Sequence, residues 1–138
     1  MNTKTYTTLP QEAKDIRIEV FVKEQGFENE FDEIDTISHH IVAFDERKPI
    51  GTCRFFKEND HYTIGRVAVL KEYRNQHMGN LLLESAENEI KKLNGDLIVV
   101  HAQVRIHPFY EKQGYIQFGQ IDDDEGVPHM WMKKKIQY

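Results

Sequence analysis

The stretch from Gly65 to Glu84 constrains this chain most. It opens with Val67-Ala68-Val69-Leu70, a short apolar run rich in β-branched residues, which predicts a strand covered on both faces. It closes with Met78, Leu82, Ala86, Ile90 and Leu93 at three- and four-residue steps, which predict a helix with one apolar face. Between them lies the polar turn Arg74-Asn75-Gln76-His77, with Gly79 in the first helical turn. A strand that feeds through a tight turn into a helix aims several free backbone N–H groups at one point. The helix dipole adds partial positive charge there, so the place suits a phosphate or pyrophosphate. Gly79 would let the backbone come close to such an anion.

The rest of the chain predicts the setting of this unit. Leu9 to Glu24 reads as a helix with Ala13, Ile16, Val20 and Phe21 on one face, ended by Gly26. His40–Asp45, Ile50–Phe56 and Tyr62–Leu70 read as three antiparallel strands joined by short turns. The helix from about His77 to Leu93 is stopped by Asn94-Gly95, and Leu97–Ala102 is a second fully apolar strand. That strand–helix–strand unit implies a parallel pair made by a right-handed crossover. A short helix around Ile106–Gln113 follows, then strands at Tyr115–Gln120 and Pro128–Lys133 around an acidic loop, Asp122–Gly126. His39 and His40 must point to opposite faces of their strand. The fold class is therefore α/β (α+β), a mixed sheet of about six or seven strands with helices on both faces.

At 138 residues the chain fits one domain spanning 1–138. A net charge of −5 argues against general binding to nucleic acid. No apolar run approaches the roughly 20 residues of a membrane span, and the N-terminus lacks the apolar core of a signal peptide. With a single cysteine, Cys53, these features fit a reducing cytoplasm. Cys53 lies in an apolar run and reads as a buried thiol. No metal-ligand spacing appears. The segment from Phe27 to Asp35 carries five acids and reads either as a solvated loop or as a lid that draws in a cationic amine.

Four segments in order carry a family resemblance. Arg74-Asn-Gln-His-Met-Gly79 after the strand is similar to the acyl-CoA-binding pattern Arg/Gln-x-x-Gly-x-Gly/Ala of the GNAT N-acetyltransferases, with His77 where the pattern has Gly. Pro108-Phe-Tyr-Glu-Lys-Gln-Gly-Tyr115 resembles the GNAT segment Phe/Leu-Tyr-Glu-Lys-x-Gly-Phe. Val20-Phe-Val-x-Glu-Gln25, Ala102-Gln103 and Val127-Pro-His-x-x-Met132 resemble the small bacterial ElaA/YjcF-like branch. The resemblance covers about residues 16–134 and implies a mostly antiparallel sheet with one splayed strand pair that receives CoA.

It further implies an acetyl-CoA-dependent N-acetyltransferase acting on a primary amine by direct transfer in a ternary complex. The backbone of Val67, Ala68 and Val69 would contact the donor, and one N–H there, that of Val67, would polarise the thioester carbonyl. Arg74, Asn75, Gln76, His77, Met78, Gly79 and Asn80 would form the pyrophosphate turn. Gln103 would meet the pantetheine amides. Tyr110 would protonate the leaving thiolate, since thiol and phenol pKa values stand at about 8.5 and about 10. For the base that takes the amine's proton, His129 is the first candidate. His101, Glu24 and the acidic loop remain open. Partners would be acetyl-CoA and an amine, cationic if the acidic loops recruit it, and a homodimer is common in the family. His77 in place of Gly leaves a second reading, a non-catalytic acyl-CoA-binding or protein-interaction module of the same fold. The absence of Gly-x-x-x-x-Gly-Lys-Ser/Thr and Gly-x-Gly-x-x-Gly argues against another kind of phosphate-binding module.

Overall fold

Alternation along the strands decides the layers. Ile41 and Ala43 face one side of the second strand, Val42 and Phe44 the other, and all four are buried. A sheet with two apolar faces needs helices on both. The computed structural model, which describes residues 1–28 and 31–138, shows that arrangement. Seven strands, β1 (Asn2–Tyr6), β2 (His39–Asp45), β3 (Lys48–Glu58), β4 (His61–Val69), β5 (Leu97–Gln103), β6 (Ile116–Asp124) and β7 (Val127–Lys135), form one sheet. Their order is β1-β2-β3-β4-β5-β7-β6, and only the β4–β5 pair is parallel.

On one face, α2 (Met78–Lys92) sets Leu82, Leu83, Ala86 and Ile90 against Ile41, Phe55, Ile64, Ile98 and Val100. The short α3 (His107–Lys112) adds Tyr110 to the same core. On the other face, α1 (Gln11–Arg17) and its π-helical continuation (Ile18–Glu24) pack Ala13, Ile16, Val20 and Phe21 against Val42, Phe44 and Ala68. Cys53 is buried, and burial pushes its thiol up to about 12, as expected of a packing thiol. His39 and His40 do point apart. His39 stacks on Phe55 at 4.8 Å, while His40 donates from Nε2 to the Asp35 carbonyl at 3.0 Å.

Three expectations are corrected. The N-terminal strand β1 has no counterpart among them, because Asn-Thr-Lys-Thr-Tyr has no apolar alternation. It forms because β2 offers an open edge, and it pairs from Asn2↔Phe44 to Tyr6↔His40. The expected helix over 9–24 is α-helical only to Arg17 and then widens to i→i+5 bonding. The acidic run Asp122–Gly126 is not all loop: Asp122–Asp124 pair with β7, leaving only Glu125 and Gly126, at φ 49° and 82°, as the hairpin turn.

In the Phe27–Asp35 segment Glu28 and Glu33 are exposed, while Asp32 and Asp35 are paired with arginines; Glu30 lies outside the described residues. Arg17, 1% exposed, donates to both Asp35 oxygens at 2.8 and 3.1 Å. Arg54, 4% exposed, donates to Asp32 at 2.7 and 3.2 Å and to Asp35 at 2.9 Å. Arg66 reaches Asp32 at 3.3 Å. Burial alone would raise the Asp35 carboxyl, but the hydrogen bonds from Arg17 and Arg54 outweigh it and hold it at about 2. Since the folded pKa lies below the unfolded one, near 3.9, the contribution is complete above about pH 4 and lost towards pH 2. Thermal unfolding across that window is expected to show a steep loss of stability in the wild type. Asp35→Asn should be less stable at neutral pH by about 3 kcal/mol and flatter in acid.

Candidate active site

The site begins where the parallel pair stops. β4 and β5 are joined only through Tyr62↔Ile98, Thr63↔Val99 and Ile64↔Val100. Past Ile64 and Val100 neither strand pairs with the other, although β4 continues to Val69 and β5 to Gln103. This is the splayed pair that the resemblance implied. On its other side β4 carries a bulge: Gly65↔Arg54 and Ala68↔Thr52 leave one extra residue on β4, and Arg66 stands at φ 51°. Such a bulge bends its strand and re-aims the residues beside it. A cavity of about 430 Å³ fills the gap, lined by β4 at Gly65–Val67 and by β5 at His101–Gln103.

Tyr110 and His129 both line this cavity. Tyr110, 4% exposed, comes from α3, and its hydroxyl makes no hydrogen bond among the described residues. Burial, with Cys53 close by, pushes its phenol above its ordinary value, so it stays a neutral donor. His129 comes from β7 and is 6% exposed. Its Nδ1 lies 2.8 Å from the Val127 carbonyl, which can only accept, so Nδ1 carries the proton and Nε2 keeps a lone pair. Beside it His101 approaches Asp122 Oδ1 with Nε2 at 2.7 Å. That contact holds the Asp122 carboxyl below its usual range and leaves His101 Nδ1 as the acceptor. The His101 ring stacks on Trp131 at 4.3 Å and lies tilted to the His129 ring at 4.7 Å.

Glu24, the other named candidate for the base, is taken up by Arg74. The guanidinium fork meets both carboxylate oxygens at 2.5 and 2.8 Å, and this pairing lowers the Glu24 pKa. Arg74 also donates from Nε to the Val69 carbonyl at 3.0 Å. Its side chain thus braces the turn.

The other turn residues divide between backbone and packing roles. Asn75 and His77 are left-handed at φ 68° and 61°. Glycine is the usual choice for that conformation, so His77 adopts it at the expense of strain. Gln76 donates to the Glu72 carbonyl at 3.3 Å, and Asn80 accepts from Gln113 at 3.3 Å. The Met78 side chain is buried in the core. Gly79 is helical, not left-handed, and a Cβ there would stand 3.1 Å from Phe109 Cζ, a tight contact that the Phe109 ring would have to yield to by a few tenths of an ångström. No side chain caps α2, whose first main-chain bond runs from Leu81 N–H to the His77 carbonyl. The N–H groups of Met78, Gly79 and Asn80 are left without helical partners.

Val67 lines the cavity and packs on the α2 core, as does Val69 on that core, while Ala68 faces α1. Gln103 lines the cavity and donates to Gln25 Oε1 at 2.9 Å. Reading the sequence did not bring Trp131 and Arg54 to this place, and it offered Asp122 only as part of an acidic loop. The only signal was the Val127–Met132 resemblance, which marks β7 but not its neighbours across the sheet.

A splayed β4–β5 pair above an uncapped helix defines the class of acyl-CoA N-acyltransferases. The model of the acetyltransferase (GNAT) domain matches residues 7–136. The uncharacterized N-acetyltransferase YjcF of Bacillus subtilis is 34% identical over 122 residues, covering 86% of this chain and 87% of that protein. The chain belongs to the GNAT family and is an N-acetyltransferase that uses acyl-CoA. In fold it resembles Escherichia coli ElaA, with TM-score 0.87 and 22% identity over 97% of this chain and 99% of that one. It also resembles an aminoglycoside 6'-N-acetyltransferase complexed with coenzyme A, with TM-score 0.77 and 15% identity over 98% and 97%. Among the described residues no helix is long and apolar enough to cross a membrane.

Replacing His77 with Gly removes a left-handed non-glycine residue. His77→Gly is expected to stabilise the fold by about 1 kcal/mol, read from denaturant unfolding.

Proposed function

We propose that the chain moves an acetyl group from acetyl-CoA directly to a primary amine of a small molecule or peptide. The observation that carries this reading is that Tyr110 and the free Nε2 of His129 belong to one cavity in the β4–β5 gap. Acetyl-CoA supplies the acyl group activated as a thioester. The N–H groups of the Arg74–Asn80 turn bind the pyrophosphate. The free edge of Val67–Val69 and the amide of Gln103 pair with the amide-rich arm as an added strand would. The Val67 N–H polarises the thioester carbonyl.

Two proton transfers complete the chemistry. His129 Nε2 takes the proton of the attacking amine. The Tyr110 hydroxyl donates to the sulfur as the carbon–sulfur bond breaks. The burial that raises this phenol would act in the same direction on a thiolate held beside it. Cys53, held neutral by burial, offers no nucleophile, which supports transfer without a covalent enzyme intermediate. Asp124 and Glu125 line the cavity with Trp131 and Phe27, a set suited to a cationic amine. The same proposal includes a homodimer paired along the outer edge of β6, where Ile116, Phe118 and Ile121 are exposed.

Calorimetry should show acetyl-CoA binding to wild type and Tyr110→Phe alike. Thiol release against a panel of primary amines should fall roughly a hundredfold or more in Tyr110→Phe. Turnover by Tyr110→Phe at the wild-type rate would remove the acid role. Sedimentation at the 16.3 kDa of one chain would remove the dimer.

A further inference from the structure

The proposed chemistry gives no role to the motif Val20-Phe-Val-Lys-Glu-Gln25, which forms most of the π-helical segment. Its last two residues reach opposite sides of the β4–β5 gap. Glu24 grips Arg74 in the turn after β4, and Arg74 in turn holds the carbonyl of Val69, the last residue of β4. Gln25 accepts from Gln103, the last residue of β5. Gln103 is held at its other atom too, since its Oε1 accepts from Arg105 Nε at 2.9 Å, so its amide has one orientation.

We infer that Glu24 and Gln25 are positioning residues for acyl-CoA, setting the separation and orientation of the two arms between which it lies. The inference rests on the reading of that gap as the donor site. Three features support it. The helix abandons α-geometry immediately after Arg17, the point at which the Asp35 pair anchors it. An i→i+5 turn changes the direction in which every later side chain projects, and such turns are rare and concentrate at functional sites. Gly26, at φ 80°, ends the helix at once, so the rod stops with Glu24 and Gln25 facing the gap's two borders. Finally, the Glu24 and Arg74 side chains are each 36% exposed, and a pair so placed adds little to global stability. Its consequence is geometric: it fixes a turn whose backbone must meet an anion.

Calorimetric titration of CoA, with a thermal midpoint for each protein, tests this on wild type, Glu24→Gln, Gln25→Met, Gln103→Met and the Gln25→Met/Gln103→Met double variant. Glu24→Gln and Gln25→Met should each raise Kd roughly three- to tenfold, the range that ordering one long side chain is worth, at an unchanged midpoint. The double variant should bind as Gln103→Met alone does, because Gln25 acts through Gln103. Wild-type affinity in both single variants would overturn the inference, as would simple additivity in the Gln25–Gln103 cycle. A wild type that binds no CoA would overturn the proposed function and this inference with it.

Discussion

Three residue pairs between two parallel strands govern this molecule. Below Ile64 and Val100 the pairing is complete, and their side chains close the core against α2. Above them the main chain of both strands is left without its neighbour. Unpaired backbone is costly when buried, and a sheet interior is an unusual place for it. The fold tolerates the gap because other contacts hold each arm: β3 pairs β4 through its bulge, and β7 pairs β5 along its whole length. The opening is thus a fixed feature of the sheet with donors and acceptors already oriented. That is the preorganisation a donor-binding cleft needs.

Charge is used in two ways around this opening. The Arg17–Asp35–Arg54–Asp32–Arg66 chain alternates sign and is largely buried, and it ties the segment before β2 to β3 and β4. Breaking a link at Arg17, Asp35 or Arg54 would strand a buried charge, so its effect is on the integrity of the cavity wall. The Arg74–Glu24 pair and the Gln25–Gln103 bond are more exposed and act at the rim. Inside, Tyr110, His101 and His129 share one cavity with the carboxylates of Asp124 and Glu125. The two histidine tautomers follow from their partners alone: a carbonyl and a carboxylate can only accept, so each ring keeps one nitrogen open.

Much of this was legible in the residues. The Val67–Leu70 run, the turn and the Met78–Leu93 periodicity placed β4, its loop and α2, and the four ordered segments led to the family. Less legible was why each residue is there. Gly79 packs closely under Phe109 and does not have a left-handed backbone, and it is Asn75 and His77 that carry the positive φ. Acidic runs read as loops, since Asp is a poor strand former. Yet Asp122 is held in β6 by pairing with His129, and Asp32 and Asp35 are bound by arginines that lie far away in sequence.

The sequence by itself determined the periodicities, hence the α/β layers, the helix start after the Arg74–His77 turn and the family. Those properties depend on side chains a few residues apart, which every chain carries openly. Tertiary structure alone decided where β4 and β5 part and which carboxylates are spent on arginines. It also decided that Asp122, His101 and His129 meet, and that the helix widens after Arg17. Each of these depends on contacts between residues well separated in the chain, such as Arg17 with Asp35 and Glu24 with Arg74. Local pattern carries no record of such contacts, because which partner wins is settled only when the sheet register and the packed core bring the competitors together.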